Sequence, residues 1–168
     1  MHRYPWFIVI LCCLAACQSD LDIKISQLQE VELSKPEISF SRDSAFSFVA
    51  KQVSFGPRVP NLPSHVHCAN YLTDKLSSYG LTVEEQKAET ENYRGDTLAL
   101  RNIIAQYNPK HKTRIALISH WDTRPYADRE TDLAQQEMLP DGANDGGSGT
   151  AIMLEIARLT KKADVDLG

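Results

Sequence analysis

The sequence predicts an α/β domain with a mixed, largely parallel central sheet and helices on both of its faces. Two amphipathic helical stretches come first, two strand-like stretches follow, and a nearly continuous apolar run then precedes a further amphipathic helix. The apolar run, residues 114–119, is typical of a central strand that is covered on both faces. With 168 residues, of which 42% are hydrophobic, the chain is long enough for one domain with its own core.

The first residues of the chain predict export. A short basic start is followed by an apolar run, residues 6–14, which is too short to span a bilayer. Small residues then precede Cys17, and this ending resembles the lipobox of bacterial lipoproteins. We therefore expect a lipoprotein signal peptide over residues 1–16 and a lipid on Cys17 that anchors the protein to the outer membrane, facing the periplasm or the exterior. An ordinary cleaved signal is the alternative.

Beyond the cysteine, local signals predict a tether and then one domain over residues 41–168. Residues 17–40 are polar without a sustained period, which is typical of a tether. A first helix is predicted to be capped by Ser41 or Asp43 and to end at Gly56-Pro57, which cannot continue a helix. Ser64 is predicted to cap a second helix, with Cys68 on its core side, and Gly80 is predicted to end it.

Strands are predicted over residues 81–86 and 97–107. A polar connection separates them, and the turn chemistry of residues 108–111 follows the second strand. The second strand and the one starting near Thr113 are therefore predicted to form a hairpin.

A metal site is predicted around His120. His120 and Asp122 directly follow the apolar run, and residues two apart on a strand can point the same way. The carboxyl end of a central strand is the usual ligand crevice of an open sheet. Asp145 stands in a glycine-rich turn ahead of the last helix, where backbone freedom lets a carboxylate reach inward. Imidazole and carboxylate are zinc ligands, and Asp122 can accept the hydrogen bond that orients the imidazole.

Each of these features alone has a simpler interpretation. A single His-X-Asp is usually a surface coincidence, and a turn such as residues 145–149 more often caps a helix through Asp145 or Ser148. The combination with an apolar strand before and an apolar helix after favours the metal site. The remaining histidines in the domain are interpreted as surface residues: His65, His67 and His111.

Three motifs resemble one known family. They are residues 120–125 (HWDTRP), 142–149 (GANDGGSG) and 153–158 (MLEIAR). Together they resemble the M28-clan zinc aminopeptidases, and within that clan residues 55–60 (FGPRVP) and 102–104 (NII) resemble the glutaminyl-peptide cyclotransferase branch most. The resemblance covers residues 46–162 and implies a zinc exopeptidase-like fold.

The resemblance also implies a role for each site residue. Asp145 matches the metal-binding aspartate that both branches share. His120 matches a zinc ligand of the two-metal aminopeptidases, whereas in single-zinc cyclotransferases the equivalent histidine lies near the metal without binding it. Asp122 matches the carboxylate that orients this histidine. Trp121 could line the pocket for the substrate's N-terminal side chain, or it could pack the loop.

The activity implied is that of a glutaminyl-peptide cyclotransferase with one zinc ion, which acts on Gln-initiated peptides or proteins. The alternatives are an aminopeptidase with two zinc ions, acting on peptides with a free N-terminus, and a non-catalytic lipid-anchored peptide-binding fragment. The family's general-base glutamate and other metal ligands lie beyond the last helix, so we expect the chain to be an incomplete, N-terminal portion of such an enzyme. A net charge of −4 leaves no basic footprint, and we expect no nucleic-acid partner.

Overall fold

The computed structural model describes residues 38–163 and 165–168. The predicted signal peptide, Cys17 and nearly all of the predicted tether lie outside the described residues. The described residues belong to one compact unit. Its elements, in chain order, are α1 (Arg42–Val53), α2 (Pro63–Ser78), β1 (Thr82–Glu91), β2 (Thr97–Gln106), α3 (Leu133–Gln136) and α4 (Gly147–Ala163).

The two early helices begin and end on local signals. Ser41 is the N-cap of α1, and its side chain accepts a hydrogen bond from the Ser44 N–H, 3.1 Å away. Helix α2 instead begins at Pro63, whose fixed φ suits a first helical position. The predicted cap at Ser64 is therefore wrong, because that hydroxyl lies inside the helix and donates to the Pro57 carbonyl. Gly80 ends α2 with a φ of +83°, as predicted.

The sheet of the described residues is an antiparallel pair, with Thr82 opposite Gln106 at one end and Glu91 opposite Thr97 at the other. The predicted hairpin between β2 and a strand from Thr113 is therefore wrong. The polar stretch before β2 contains the hairpin turn instead, because the Asn92 side chain accepts from the Asp96 N–H (3.0 Å) and Gly95 takes a φ of +85°.

Residues 114–119 differ from the central strand that the sequence predicts. Within the described residues they pair with neither β1 nor β2, and Ile115 and Ile118 are 64% and 92% exposed. The Gly168 N–H donates to the Thr113 carbonyl and the Ile115 N–H donates to the Gly168 carbonyl, both at 2.9 Å, which is the pattern of a parallel pair. An apolar run predicts which residues suit burial, but burial itself depends on what packs against them.

The core lies between the helices and the sheet, and α1 packs against α4. Its fully or nearly buried apolar members are Phe48, Cys68, Ala69, Leu72, Trp121, Ala151 and Leu154. Polar contacts also join the two helices, since Gln52 Nε2 donates to the Gly147 carbonyl at 3.0 Å and the Ser41 N–H donates to Glu155 Oε1 at 2.9 Å. The Gln52 contact holds the N-terminal turn of α4, which follows the predicted site, and the Ser41 contact holds the middle of that helix. Within residues 38–163 and 165–168, no helix is long and apolar enough to cross a bilayer.

Candidate metal centre

The structure brings His120 and Asp145 together. His120 follows the apolar run, Asp145 lies two residues before α4, and His120 Nε2 is 2.9 Å from Asp145 Oδ1. Both side chains are accessible, at 56% and 65% exposure. Residues 25 positions apart in the sequence thus present a nitrogen and an oxygen, both suited to zinc, to the same space.

The two ring nitrogens of His120 face different oxygen atoms. Its Nδ1 lies 3.2 Å from the backbone carbonyl oxygen of Asp122, a group that only accepts hydrogen bonds. Its Nε2 faces the Asp145 carboxylate. The Asp122 carboxylate, predicted as the orienting group, is farther away, with Oδ1 at 3.7 Å from Nδ1. Its part in orienting the ring stays a prediction.

The glycine-rich turn is shaped around the imidazole. Gly146 has a φ of +88°, and a Cβ there would lie 2.9 Å from His120 Cε1. Thr150 in the first turn of α4 donates its hydroxyl to the His120 carbonyl at 3.0 Å. Ser148 donates to the Asn144 carbonyl at 2.7 Å, so its hydroxyl closes the turn. The start of α4 is thereby joined to the chain that carries His120.

Arg124 lies between two carboxylates at the rim of the site. Its Nη1 is 2.9 Å from Asp128 Oδ1, and its Nη2 is 3.9 Å from Asp145 Oδ2. The hydrogen bond from Arg124 lowers the pKa of Asp128. Because the closer partner is Asp128, the main effect of Arg124 is to hold the loop that follows residues 120–125.

Trp121 is directed into the protein, 9% exposed, and its Nε1 donates to the Arg101 carbonyl at 3.1 Å. One face of its ring stacks on His65, with centroids 4.4 Å apart. The interpretation of Trp121 as a loop-packing residue describes this arrangement, and its contact with substrate stays a prediction.

His65 corrects one interpretation from the sequence. We expected a surface histidine, but His65 is 4% exposed beneath Trp121, and burial lowers its pKa. A histidine at a helix start gives no local sign of burial, because the covering ring comes from a distant segment. His67 is exposed, and His111 is half-buried with its Nε2 3.0 Å from Asp166 Oδ1.

Arg58 is the site residue that the analysis of the sequence missed. It is fully buried, and its guanidinium donates to the carbonyls of Trp121, Asp141 and Gly142. Burial lowers the pKa of its guanidinium. The only sequence signal for a role of Arg58 is its position in residues 55–60, a motif that resembles the cyclotransferase branch.

The donor set fits part of a zinc site. Two ligand atoms on one tetrahedral zinc ion, with bonds of about 2.0–2.2 Å, lie about 3.3–3.6 Å apart. The 2.9 Å contact between His120 Nε2 and Asp145 Oδ1 is shorter, so the two side chains would have to separate slightly to share a metal ion. Among the residues that the structure describes, no group of three or more His, Cys, Asp or Glu side chains is arranged to hold a metal. His120 and Asp145 therefore supply a pair of candidate ligands, and their roles as ligands stay predictions.

Comparisons with known proteins define the class. Residues 102–167 match the model of Peptidase family M28. The chain is similar to a Zn-dependent exopeptidase from Parabacteroides distasonis, with 44% identity and a TM-score of 0.72 over 74% of this chain and 42% of that one. It is similar to a glutaminyl cyclase from Tannerella forsythia, with 45% identity and a TM-score of 0.72 over 74% and 43%. No curated protein matches the chain.

Two Bacteroides thetaiotaomicron structures carry different names. One is a leucine aminopeptidase precursor and the other is a glutaminyl cyclase bound to N-acetylhistamine. Both match with 49% identity and a TM-score of 0.74 over 77% of this chain and 44% of the other. The chain spans about two fifths of the length of the structures it matches, 42–44%.

The class of protein is now defined. The chain has part of the α/β fold of zinc exopeptidases, and its residues 102–167 match the model of peptidase family M28. Within that class it resembles bacterial glutaminyl cyclases and Zn-dependent exopeptidases. The predicted resemblance, fold class and likeness to an enzyme are confirmed, and zinc is the metal that this class implies.

Proposed function

We propose that this chain forms part of a zinc-dependent glutaminyl-peptide cyclotransferase, which converts an N-terminal glutamine into pyroglutamate and releases ammonia. The observation that carries the proposal is the 2.9 Å contact of His120 Nε2 with Asp145 Oδ1, in a chain 45–49% identical to proteins named glutaminyl cyclases. In that enzyme Asp145 would bind the metal, and His120 would lie beside the metal without binding it. We place the further ligands in the part of such enzymes to which this chain has no counterpart.

In the proposed reaction, the substrate's α-amino group attacks its own γ-amide carbon and gives up one proton. The bond to the amide nitrogen breaks, and that nitrogen takes up a proton and leaves as ammonia. Zinc, when bound, would supply Lewis-acid polarisation of the γ-amide carbonyl. Asp145 would hold the metal through its carboxylate. His120, with its Nδ1 directed at the Asp122 carbonyl, would keep Nε2 facing the reacting groups. Both side chains are exposed, so a substrate can reach them.

A two-zinc aminopeptidase is the second candidate function. It is favoured by the relative named leucine aminopeptidase precursor and by His120 Nε2, which lies 2.9 Å from Asp145 Oδ1, close enough for both side chains to approach one metal ion. In that function Asp145 would bridge the two ions and His120 would bind one of them. The substrate in either case is a peptide or protein with a free N-terminus, beginning with Gln in the cyclase.

We also propose that the protein is an exported bacterial lipoprotein, held at the outer membrane through Cys17. The support for this proposal is the sequence of residues 1–17. Metabolic labelling with a fatty acid tests it, with Cys17→Ser as the control. We expect the label to be lost in that variant, and a label that persists would contradict the anchor.

The activity is tested on the full-length protein with a Gln-initiated peptide. The cyclase produces pyroglutamyl peptide and ammonia, whereas the peptidase releases free glutamine. Zinc content is measured in the same samples for wild type, His120→Ala and Asp145→Asn. In the single-zinc cyclase, only Asp145→Asn lowers the metal content, because His120 is not a ligand. In the two-zinc enzyme, both substitutions lower it.

His111→Ala is the matched control. His111 and Asp166 form another His–Asp pair, with nearly the same spacing, 3.0 Å, and this pair does not include Asp145. The substitution removes its imidazole. We expect its zinc content and activity to equal those of wild type. A wild-type protein that holds no zinc, or Asp145→Asn with wild-type zinc content, would contradict the proposed function.

A further inference from the structure

Arg58 joins its own stretch of chain to two others behind the candidate metal centre. Its Nε donates to the Trp121 carbonyl at 2.9 Å, and its Nη1 and Nη2 donate to the carbonyls of Asp141 and Gly142, each at 2.7 Å. Its own carbonyl accepts from the Thr123 N–H at 3.1 Å. The side chain is fully buried, so hydrogen bonds to these backbone carbonyls replace the hydrogen bonds that the guanidinium makes with water in the unfolded chain.

These contacts flank both candidate ligands. Trp121 and Thr123 lie one and three residues after His120, and Asp141 and Gly142 lie four and three residues before Asp145. The Gly147 N–H donates to the Gly142 carbonyl at 3.1 Å, so the turn that contains Asp145 closes on the same carbonyl that Arg58 binds. A shift of the guanidinium would therefore move both sides of the His120–Asp145 pair.

The turn also leaves no room between itself and Arg58. Gly142 has a φ of +62°, and a Cβ there would lie 2.7 Å from Arg58 Nη2 and in collision with the Thr123 methyl group. Close approach of this backbone to the guanidinium needs glycine. The turn and the Arg58 guanidinium therefore fit each other in shape as well as in hydrogen bonding.

We infer that Arg58 is a positioning residue, which sets the separation of His120 and Asp145 by holding the chain beside each of them. The inference rests on the proposed function in that it treats Asp145 as a metal ligand with His120 beside it. A lysine keeps the charge but has a single ammonium in place of the planar fork, so it cannot reproduce three donors aimed at three carbonyls. Arg58→Lys should therefore loosen the pair while leaving a cation in place.

The test measures zinc affinity and amide exchange in the full-length protein. Partners that orient metal ligands typically change metal affinity by about 10–100-fold, and we expect Arg58→Lys to weaken zinc binding at least about tenfold. In the metal-free protein, hydrogen exchange of residues 141–147 should accelerate more than that of β1 and β2. Arg101→Lys is the matched control, because the Arg101 side chain is also largely buried and bonds Glu85 on β1 and Asn70 on α2. It should leave zinc affinity unchanged.

Two outcomes overturn the inference. One is wild-type zinc affinity in Arg58→Lys together with unchanged exchange of residues 141–147. The other is an equal loss of affinity in Arg101→Lys, which would assign the effect to general destabilisation. If the wild-type protein itself binds no zinc, the proposed function fails, and the exchange of residues 141–147 in metal-free protein then decides the positioning role alone.

A second variant covers the case in which Arg58→Lys does not fold. Gly142→Ala pushes the turn off the guanidinium from the opposite side, and Gly95→Ala is its control, with a similar positive φ but open space around it. We expect faster exchange of residues 141–147 and weaker zinc binding for Gly142→Ala alone. Equal behaviour of the two glycine variants would overturn the inference.

Discussion

The imidazole of His120 rests directly on Gly146, so closely that a Cβ at residue 146 would lie 2.9 Å from His120 Cε1 and 3.0 Å from Nδ1. Gly146 follows Asp145 directly, so the residue that presents the carboxylate and the surface that supports the imidazole are neighbours in the chain. The glycine serves both the positive φ of the turn and the close approach of the ring. The spacing of His120 and Asp145 thus depends on residue 146 having no side chain.

Gly146→Ala should separate these two requirements. We expect it to lower the free energy of unfolding by about 1–2 kcal/mol for the positive φ and by about 1–3 kcal/mol more for crowding against His120. Chemical denaturation measures the sum. Gly95→Ala has a similar φ, +85°, with no atom within 4 Å of its Cβ, and should show only the first part. Equal losses in the two variants would mean that the His120 contact adds nothing.

Acid should weaken the joint between α1 and α4. Glu155 is fully buried, and hydrogen bonds from Arg158 lower its pKa below the ordinary value of 4.5. A carboxylate with a lowered folded pKa contributes stability that is present above its ordinary pKa and is lost as the pH falls through the folded value. We therefore expect the free energy of unfolding to decrease below about pH 4.5 and further as Glu155 is protonated.

Glu155→Gln tests this assignment. At neutral pH it should cost about 1.5–3 kcal/mol, the range for a lost hydrogen bond to a charged group. Its stability should also depend less on pH in acid than that of wild type, as denaturation across the acid range would show. Glu89→Gln, an exposed position on β1, is the control and should keep the wild-type pH profile. An unchanged acid slope in Glu155→Gln would rule out this residue as the source.

Cys68 should be unreactive in the folded protein. Its side chain is fully buried, and burial raises the pKa of the thiol to about 11. Both effects suppress the thiolate that reacts with disulfide reagents. We expect no fast labelling of Cys68 at mildly alkaline pH and complete labelling in denaturant. Cys68→Ala gives the background of the other cysteines, and fast labelling that disappears in this variant would contradict the expected burial.

Trp121 can be assigned to packing or to substrate binding by one substitution. Trp121→Phe keeps an aromatic ring against His65 but removes the Nε1 donor to the Arg101 carbonyl. Leaving that carbonyl without its partner should cost about 1–3 kcal/mol of stability. If packing is its role, KM for a Gln-initiated peptide stays at the wild-type value in full-length protein. A KM that rises without loss of stability would favour contact with substrate.

Local signals carried much of the prediction. Ser41 marked the start of α1 and Gly80 the end of α2, since capping and positive φ depend on residues a few positions apart. The hairpin was misplaced because two polar turns flank β2, and the choice between them depends on which strand supplies the hydrogen-bond ladder. The burial of His65 was missed because the ring that covers it comes from Trp121.

The sequence by itself determined the chemistry that the site can offer: an imidazole after an apolar run, a carboxylate in a glycine-rich turn, and an amphipathic helix behind them. Residue type and short spacings are enough for that, because they act within a few positions of the chain. Only the tertiary structure decided that His120 and Asp145 lie 2.9 Å apart and that Arg58 binds the chain beside each of them. Those contacts join residues from 25 to 84 positions apart, and no local propensity encodes a distance across a fold.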